Sequence, residues 1–289
     1  MPFFFAISGF YFINASTQKQ LKQISNIVKE YIIVTVAYLV FSILFSVITH
    51  SELAFSFFGF VFSFFTSGVE GHLWFFSTLI YSMLFIYFWN VVFKKEKLKF
   101  VCAVAIILYL IGLLGCSYYE IGIKLPGASL LFDNPYFVII RRMILMGFPF
   151  FVSGHLVRVI NERFSPKVAL KSLIIFSALF LIEIYVLYCL KIYDTVVITL
   201  FLYPLTISLI WYLVSKPRGK NDWLAKYCKD TSMTMYYYHL MLLSVLLMFN
   251  DNDTYNFLIV ITVFAVIGLI KSIIKKDKSM KEKVKKANV

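Results

Sequence analysis

Several ionisable or hydroxyl side chains of this chain lie inside apolar sequence, where lipid penalises them and function tends to gather. His72 opens the string GHLWFF. Gly71 permits a tight turn there, and Trp74 suits the headgroup level. The imidazole fits two roles: an interfacial histidine beside an aromatic belt, or a proton carrier facing an external cavity. Arg141 and Arg142 sit in NPYFVIIRRMILMGFPFFVSGHL. They snorkel to the outer headgroups, pair with Glu70, Glu120 or Asp133, or bind a phosphate or carboxylate of a ligand. Adjacent helix positions point about 100° apart, so at most one of the two faces a bundle core squarely. Glu183, in SALFLIEIYVLY, reads as protonated or paired within the bundle, with helix–helix glue favoured over a proton relay. His239 follows Tyr236, Tyr237 and Tyr238, about two turns inside its stretch. Thr231, Ser232 and Thr234 precede it as helix-start hydroxyls. His155 lies close to the end of its own stretch and ranks lower. Ser8–Gly9 is a small-residue notch, open either to a second helix or to a ligand.

The elements that must position these groups are apolar runs. Nine are visible, at 2–14, 31–48, 73–93, 99–115, 137–157, 172–190, 195–214, 231–249 and 255–274. Of 28 Lys and Arg, 24 fall in the segments 15–30, 94–99, 158–171, 215–230 and 271–289. The alternate segments 49–72, 116–136, 191–194 and 250–254 hold only Lys124 and Lys191. This is the positive-inside bias of a polytopic membrane protein. It places the cation-rich loops and the C-terminus in the cytoplasm and the N-terminus outside. Arg141 and Arg142 then stand on the outer half, against the bias, so something anionic or strongly polar must repay them.

Composition agrees. The chain is 61% hydrophobic with 32 Phe, more than a soluble domain of this length can hide. Crossing ~30 Å of hydrocarbon takes about 20 helical residues, and eight of the nine runs approach that length. Backbone groups in lipid must bond internally, which leaves helices, since the ten-residue alternation of a membrane β-barrel is absent. The expected fold is therefore all-α, a polytopic transmembrane bundle forming one domain over 1–289. The net charge of +13 sets topology and touches anionic headgroups at about 1 kcal/mol per cation, so no nucleic-acid partner is expected. The four cysteines form no C-x-x-C, which argues against a metal site. Cys116 and Cys189 fall at outer helix ends, where a disulfide is chemically allowed. No G-x-S-x-G, P-loop, H-E-x-x-H or dinucleotide fingerprint occurs.

The first run is anomalous. It covers only ~20 Å, and no cationic region precedes it. One further span ahead of Met1 would repair both faults. The reading predicts a ten-helix protein of which this sequence carries nine spans and lacks the first. Segment 49–72 has an apolar, aromatic middle bounded by charges and glycines, which suits a re-entrant or interfacial helix. Segment 116–136 carries Pro126–Gly127 and Asn134–Pro135 as turn signals and is placed to cover an external cavity. No internal repeat is visible.

Taken in order, several strings resemble the membrane acyltransferase-3 family. PFFFAISGFYF resembles its F-F-x-x-S-G-[FY]-L element, and TQKQLKQ its basic R-x-x-R region, with Lys19 and Lys22 where arginine is usual. GHLWFFSTLIYSMLF is similar to its H-L-W-F element, FPFFVSGHLV to a later F-F-x-x-G-x-x-[LI] element, and SMTMYYYHLMLL to a late Tyr-rich, His-bearing helix. The likeness covers essentially the whole chain. It implies a bacterial inner-membrane enzyme of ten helices that acylates extracytoplasmic sugars and related polymers. The family's catalytic His belongs to the first helix, upstream of Met1, so no residue here inherits that role. His72 stands as a possible assistant.

The resemblance implies acyl-CoA as co-substrate, with no bound cofactor. Ser8, Gly9, Lys19 and Lys22 are expected to border the donor entrance, the lysines suiting CoA phosphates. His72, Trp74, Arg141, Arg142 and His239 are expected to contact the acceptor, a carbohydrate or another cell-envelope hydroxyl compound. The rival reading is a transporter or exporter of a sugar or polysaccharide, since carriers also use intramembrane Arg, Glu and His. The lack of repeats and of glycine-broken helices counts against it.

Overall fold

Long apolar runs free of helix breakers become helices, and every regular element among the described residues is helical. The computed structural model describes residues 1–50, 56–66, 68–93, 97–134, 136–193, 195, 197–216 and 222–287. Lys94, Lys95, Arg218 and Lys220 of the cation-rich connectors lie outside the described residues, as does Pro135.

In chain order the helices begin with α1 (Pro2–Phe12), α2 (Thr17–Thr49), α3 (Phe57–Phe65), α4 (Trp74–Phe93) and α5 (Leu98–Leu114). Three short turns follow, α6 (Tyr119–Gly122), α7 (Ala128–Phe132) and α8 (Phe137–Ile140). A π-helical segment, Arg141–Gly147, leads into α9 (Phe148–Asn161). The chain ends with α10 (Pro166–Leu190), α11 (Leu202–Ser215), α12 (Asp222–Leu247) and α13 (Asp253–Ala287). Five helices are long and apolar enough to cross a membrane: Thr17–Thr49, Trp74–Phe93, Phe137–Asn161, Pro166–Leu190 and Asp253–Ile274. Shorter apolar helices are α1, α5 and α11. This is a multi-pass membrane protein.

Local chemistry explains the boundaries. Proline opens α1 and α10 at positions where its missing N–H costs nothing. Ser56 caps α3, its hydroxyl accepting from the Gly59 amide at 3.2 Å. At nine residues, about 14 Å, α3 is too short for a full crossing. Gly127 takes φ 76° at the predicted Pro126–Gly127 turn. Asn134 accepts from the Tyr136 amide at 2.9 Å, an Asx turn at its own site. The run at 195–214 is helical only from Leu202, because Lys191 ends α10 in the left-handed region and residues 197–201 form turns.

By contacts the chain divides into two compact units, Met1–Val36 with Glu52–Pro217, and Ala37–Ser51 with Arg218–Val289. In the first, α1 lies along α9, α11 packs on both α9 and α10, and α4 and α5 pack on the π-helical segment. Phe5, Phe12, Phe150 and Phe151 are fully buried there. Lipid is as apolar as these side chains, so close packing rather than escape from water must hold such helices together.

In the second unit α12 lies against α13. Thr231 fills the space where Gly268 lacks a side chain, and Lys271 Nζ donates to Thr234 Oγ1 at 3.0 Å. The helix-start role expected for Thr231, Ser232 and Thr234 is corrected: α12 begins at Asp222, so all three are interior. Ser232 and Thr234 instead bond back to the carbonyls of Lys229 and Asp230, at 3.1 and 2.8 Å.

Candidate functional site

The two adjacent arginines are separated by the backbone that carries them. A π-helix is uncommon and recurs at functional sites. Here it spans seven residues, starting at Arg141. Arg141 Nη1 donates to Thr195 Oγ1 at 3.1 Å and lies 4.0 Å from Cys116 Sγ. The Cys116 thiol in turn donates to the Thr195 carbonyl at 2.9 Å. Arg141 therefore ties the π-helical segment to the end of α5 and to the connector between α10 and α11. This contact also gives Cys116 a different partner from the disulfide weighed above, and Cys189 is a free, exposed thiol.

Arg142 turns the other way. Its guanidinium carbon lies 5.6 Å from the ring centroid of Trp74, a cation–π contact. Trp74 opens α4 and is 9% exposed, braced by Phe5 at 5.9 Å between ring centroids. One turn on, Thr78 fills the space beside Gly147, and its sealed hydroxyl has no hydrogen-bond partner among the described residues. Arg142 is half-buried and makes neither an ion pair nor a hydrogen bond among the described residues. His72 sits two residues before Trp74, half-buried in the turn that enters α4. Thus His72, Trp74 and Arg142 lie near one end of α4, while Arg141 is committed elsewhere. The ion pairs weighed for Arg142 with Glu70, Glu120 and Asp133 are not formed. Asp133 accepts from the Tyr119 hydroxyl at 2.5 Å instead, and burial raises the Glu70 carboxyl above its ordinary range.

The other end of α4 is closed differently. Gln20 is fully buried and donates to the carbonyls of Phe12 and Ile13, at 3.0 and 3.3 Å. Asn90, 5% exposed, donates to the Ile13 carbonyl at 3.3 Å. Together they satisfy carbonyls left open where α1 ends, a heavy penalty in lipid if left bare. Lys19 and Lys22 flank Gln20 and are exposed. Sixteen residues of α4 separate Trp74 from Asn90, about 24 Å at helical rise.

Ser8–Gly9 was open to two readings, and packing settles Gly9. A Cβ there would collide with the Phe151 carbonyl, and one at Gly154 would collide with the backbone of Ala6 and Phe10. Gly9 is taken up by the close α1–α9 contact. Ser8 beside it is half-buried. His239 belongs to the second unit. Its Nδ1 lies 3.0 Å from the Met235 carbonyl and 3.1 Å from that of Tyr236, both on its own helix.

Glu183 is the helix glue that was favoured. Its Oε1 accepts from the Tyr118 hydroxyl and the Leu200 amide, both at 2.5 Å, and Oε2 from the Phe201 amide at 2.8 Å. A carboxylate thus caps the amides that precede α11. Burial and this hydrogen bond push the Tyr118 phenol up. A recess of about 270 Å³ beside it is walled by Leu179, Ile182, Leu187 and Phe201. Its polar group is already spent, so it lacks the convergent free groups of a ligand site. The roles of Gln20, Asn90 and Thr195 were missed from sequence. Asn90 carried a signal: it is an amide inside the apolar string IYFWNVVF.

The acyltransferase-3 family, described as an acyltransferase domain, matches residues 1–275. No match was found among curated proteins or among solved structures.

Proposed function

Because the chain belongs to the acyltransferase-3 family, we propose that it moves an acyl group, in the first instance acetyl, from acyl-CoA to a hydroxyl on the far side of a bacterial cell membrane. The acceptor is a carbohydrate or another envelope compound. The C-terminus and the exposed Lys19 and Lys22 face the cytoplasm in this reading, following the positive-inside bias.

The observation that carries the proposal is the family match over 1–275 on a chain whose polar groups gather at both ends of α4. At one end Lys19 and Lys22 suit the phosphates of CoA, with Ser8 on the neighbouring helix. About 24 Å away, His72, Trp74 and Arg142 suit the acceptor. The reaction breaks the thioester C–S bond and forms an ester C–O bond. The acceptor hydroxyl loses its proton, and the CoA thiolate ultimately gains one. In this reading His72 assists that proton transfer, and Trp74 offers an aromatic surface to a sugar. The general base itself is not assigned among these residues.

The test uses membranes holding the full chain, given acyl-CoA and purified envelope polysaccharide. Free CoA thiol is expected only when both are present. Movement of unmodified polysaccharide with no thiol released would overturn the proposal in favour of a carrier.

A further inference from the structure

Arg142 poses an unsolved charge problem. A guanidinium at an apolar depth needs an anion or several hydrogen bonds to offset its desolvation. Among the described residues it has neither, and its neighbour Arg141 adds a charge of the same sign. Arg141 meets its own need at Thr195 and Cys116, so the two arginines do not share a partner. The Arg142 guanidinium carbon lies over the Trp74 ring at 5.6 Å, and its N–H groups have no hydrogen-bond partner among the described residues. Those N–H groups form a planar fork matched to a carboxylate or a phosphate.

We infer that Arg142, held over Trp74 by the π-helical segment, is an anion-recognition site for an acceptor that bears a carboxylate or phosphate group. The identity of the ligand as an acceptor rests on the acyltransferase reading. The anion site rests on geometry alone. A lipid headgroup is the weaker occupant. The arginine lies over a nearly buried tryptophan braced by Phe5, whereas a snorkelling side chain would extend along the protein's outer surface.

Full-length protein in nanodiscs of uncharged lipid would be titrated with three fluorescent oligosaccharides: a neutral parent, its uronate form and its phosphate ester. At least one charged form should bind about tenfold tighter than the parent. Arg142→Gln should bring that form to within about twofold of the parent, Arg142→Lys should fall between, and Lys124→Gln at an exposed external cation should change nothing. Matched thermal midpoints would show that Arg142→Gln stays folded. Equal binding of all three probes, or a preference that survives Arg142→Gln, would overturn the inference. So would loss of the preference in nanodiscs containing phosphatidylglycerol, which would identify a headgroup as the occupant. Acyl transfer measured on the same samples separates the two claims. Transfer without charge preference sinks the anion site alone. An Arg142-dependent preference without transfer sinks the enzyme reading alone.

Discussion

The α1–α9 seam and the π-helical segment just before α9 share one stretch of chain, yet they are built by opposite means. The seam rests on backbone contact. Gly9 and Gly154 remove side chains so that backbones touch, and Phe12 and Phe151 fill the flanks with ring centroids 5.6 Å apart. At the π-helical segment something is left over: a charge on Arg142 and a sealed hydroxyl on Thr78. Lipid offers no hydrophobic drive between helices, so a seam survives only by close contact. A polar group left unsatisfied within an apolar span is a standing cost, and such costs persist where function needs them. The difference separates scaffold from site within 25 residues of one helix run.

The comparison breaks most visibly at the glycines. Gly154→Val should cost about 3 kcal/mol or more, because the obstructing atoms are backbone and cannot rotate away. Loss of monodisperse protein on size exclusion is the expected result, and a wild-type thermal midpoint would show the seam to be loose. Next comes Glu183→Ala, which leaves two backbone amides and the Tyr118 hydroxyl without their acceptor. A loss of about 3 kcal/mol is expected by thermal unfolding, with Glu183→Gln losing less.

The arginine pair sharpens the comparison. Arg141→Gln should lower stability by about 1–2 kcal/mol, since it breaks a charged hydrogen bond that joins three segments. Arg142→Gln should leave the midpoint nearly unchanged while weakening acceptor use. Equal stability losses for the two variants would erase the distinction between them.

The smallest effect concerns pH. Burial raises the Glu70 carboxyl, so the folded state holds that proton more tightly than the unfolded state. Its contribution to stability is therefore full below the ordinary carboxylate pKa and is lost as pH rises through the raised one. Glu70→Gln should raise the thermal midpoint at neutral pH and flatten its dependence over the acidic range. A wild-type profile in Glu70→Gln would remove Glu70 from the account.

Much of this was legible from residue patterns. Apolar length and cation placement implied an all-helical membrane protein, and the motif order pointed to the family that matches residues 1–275. What failed to show was anything set by long-range register. Whether Gly9 admits a ligand or a helix depends on Phe151, 142 positions away in sequence. Which arginine is spent depends on Thr195, and on a π-helical turn that no local propensity announces. The start of α12 was misplaced because Ser232 and Thr234 look like caps, yet serve equally well inside a helix by bonding the turn before them.

The central claim is that an acyl group crosses the membrane while the acceptor does not. Right-side-out and inverted vesicles holding the full chain, given acyl-labelled CoA on one face and acceptor on the other, test it directly. Alkali-labile ester should accumulate on acceptor only when CoA is supplied at the face bearing Lys19 and Lys22. Ester formed only when donor and acceptor share a face, or acceptor carried across unlabelled, would contradict it.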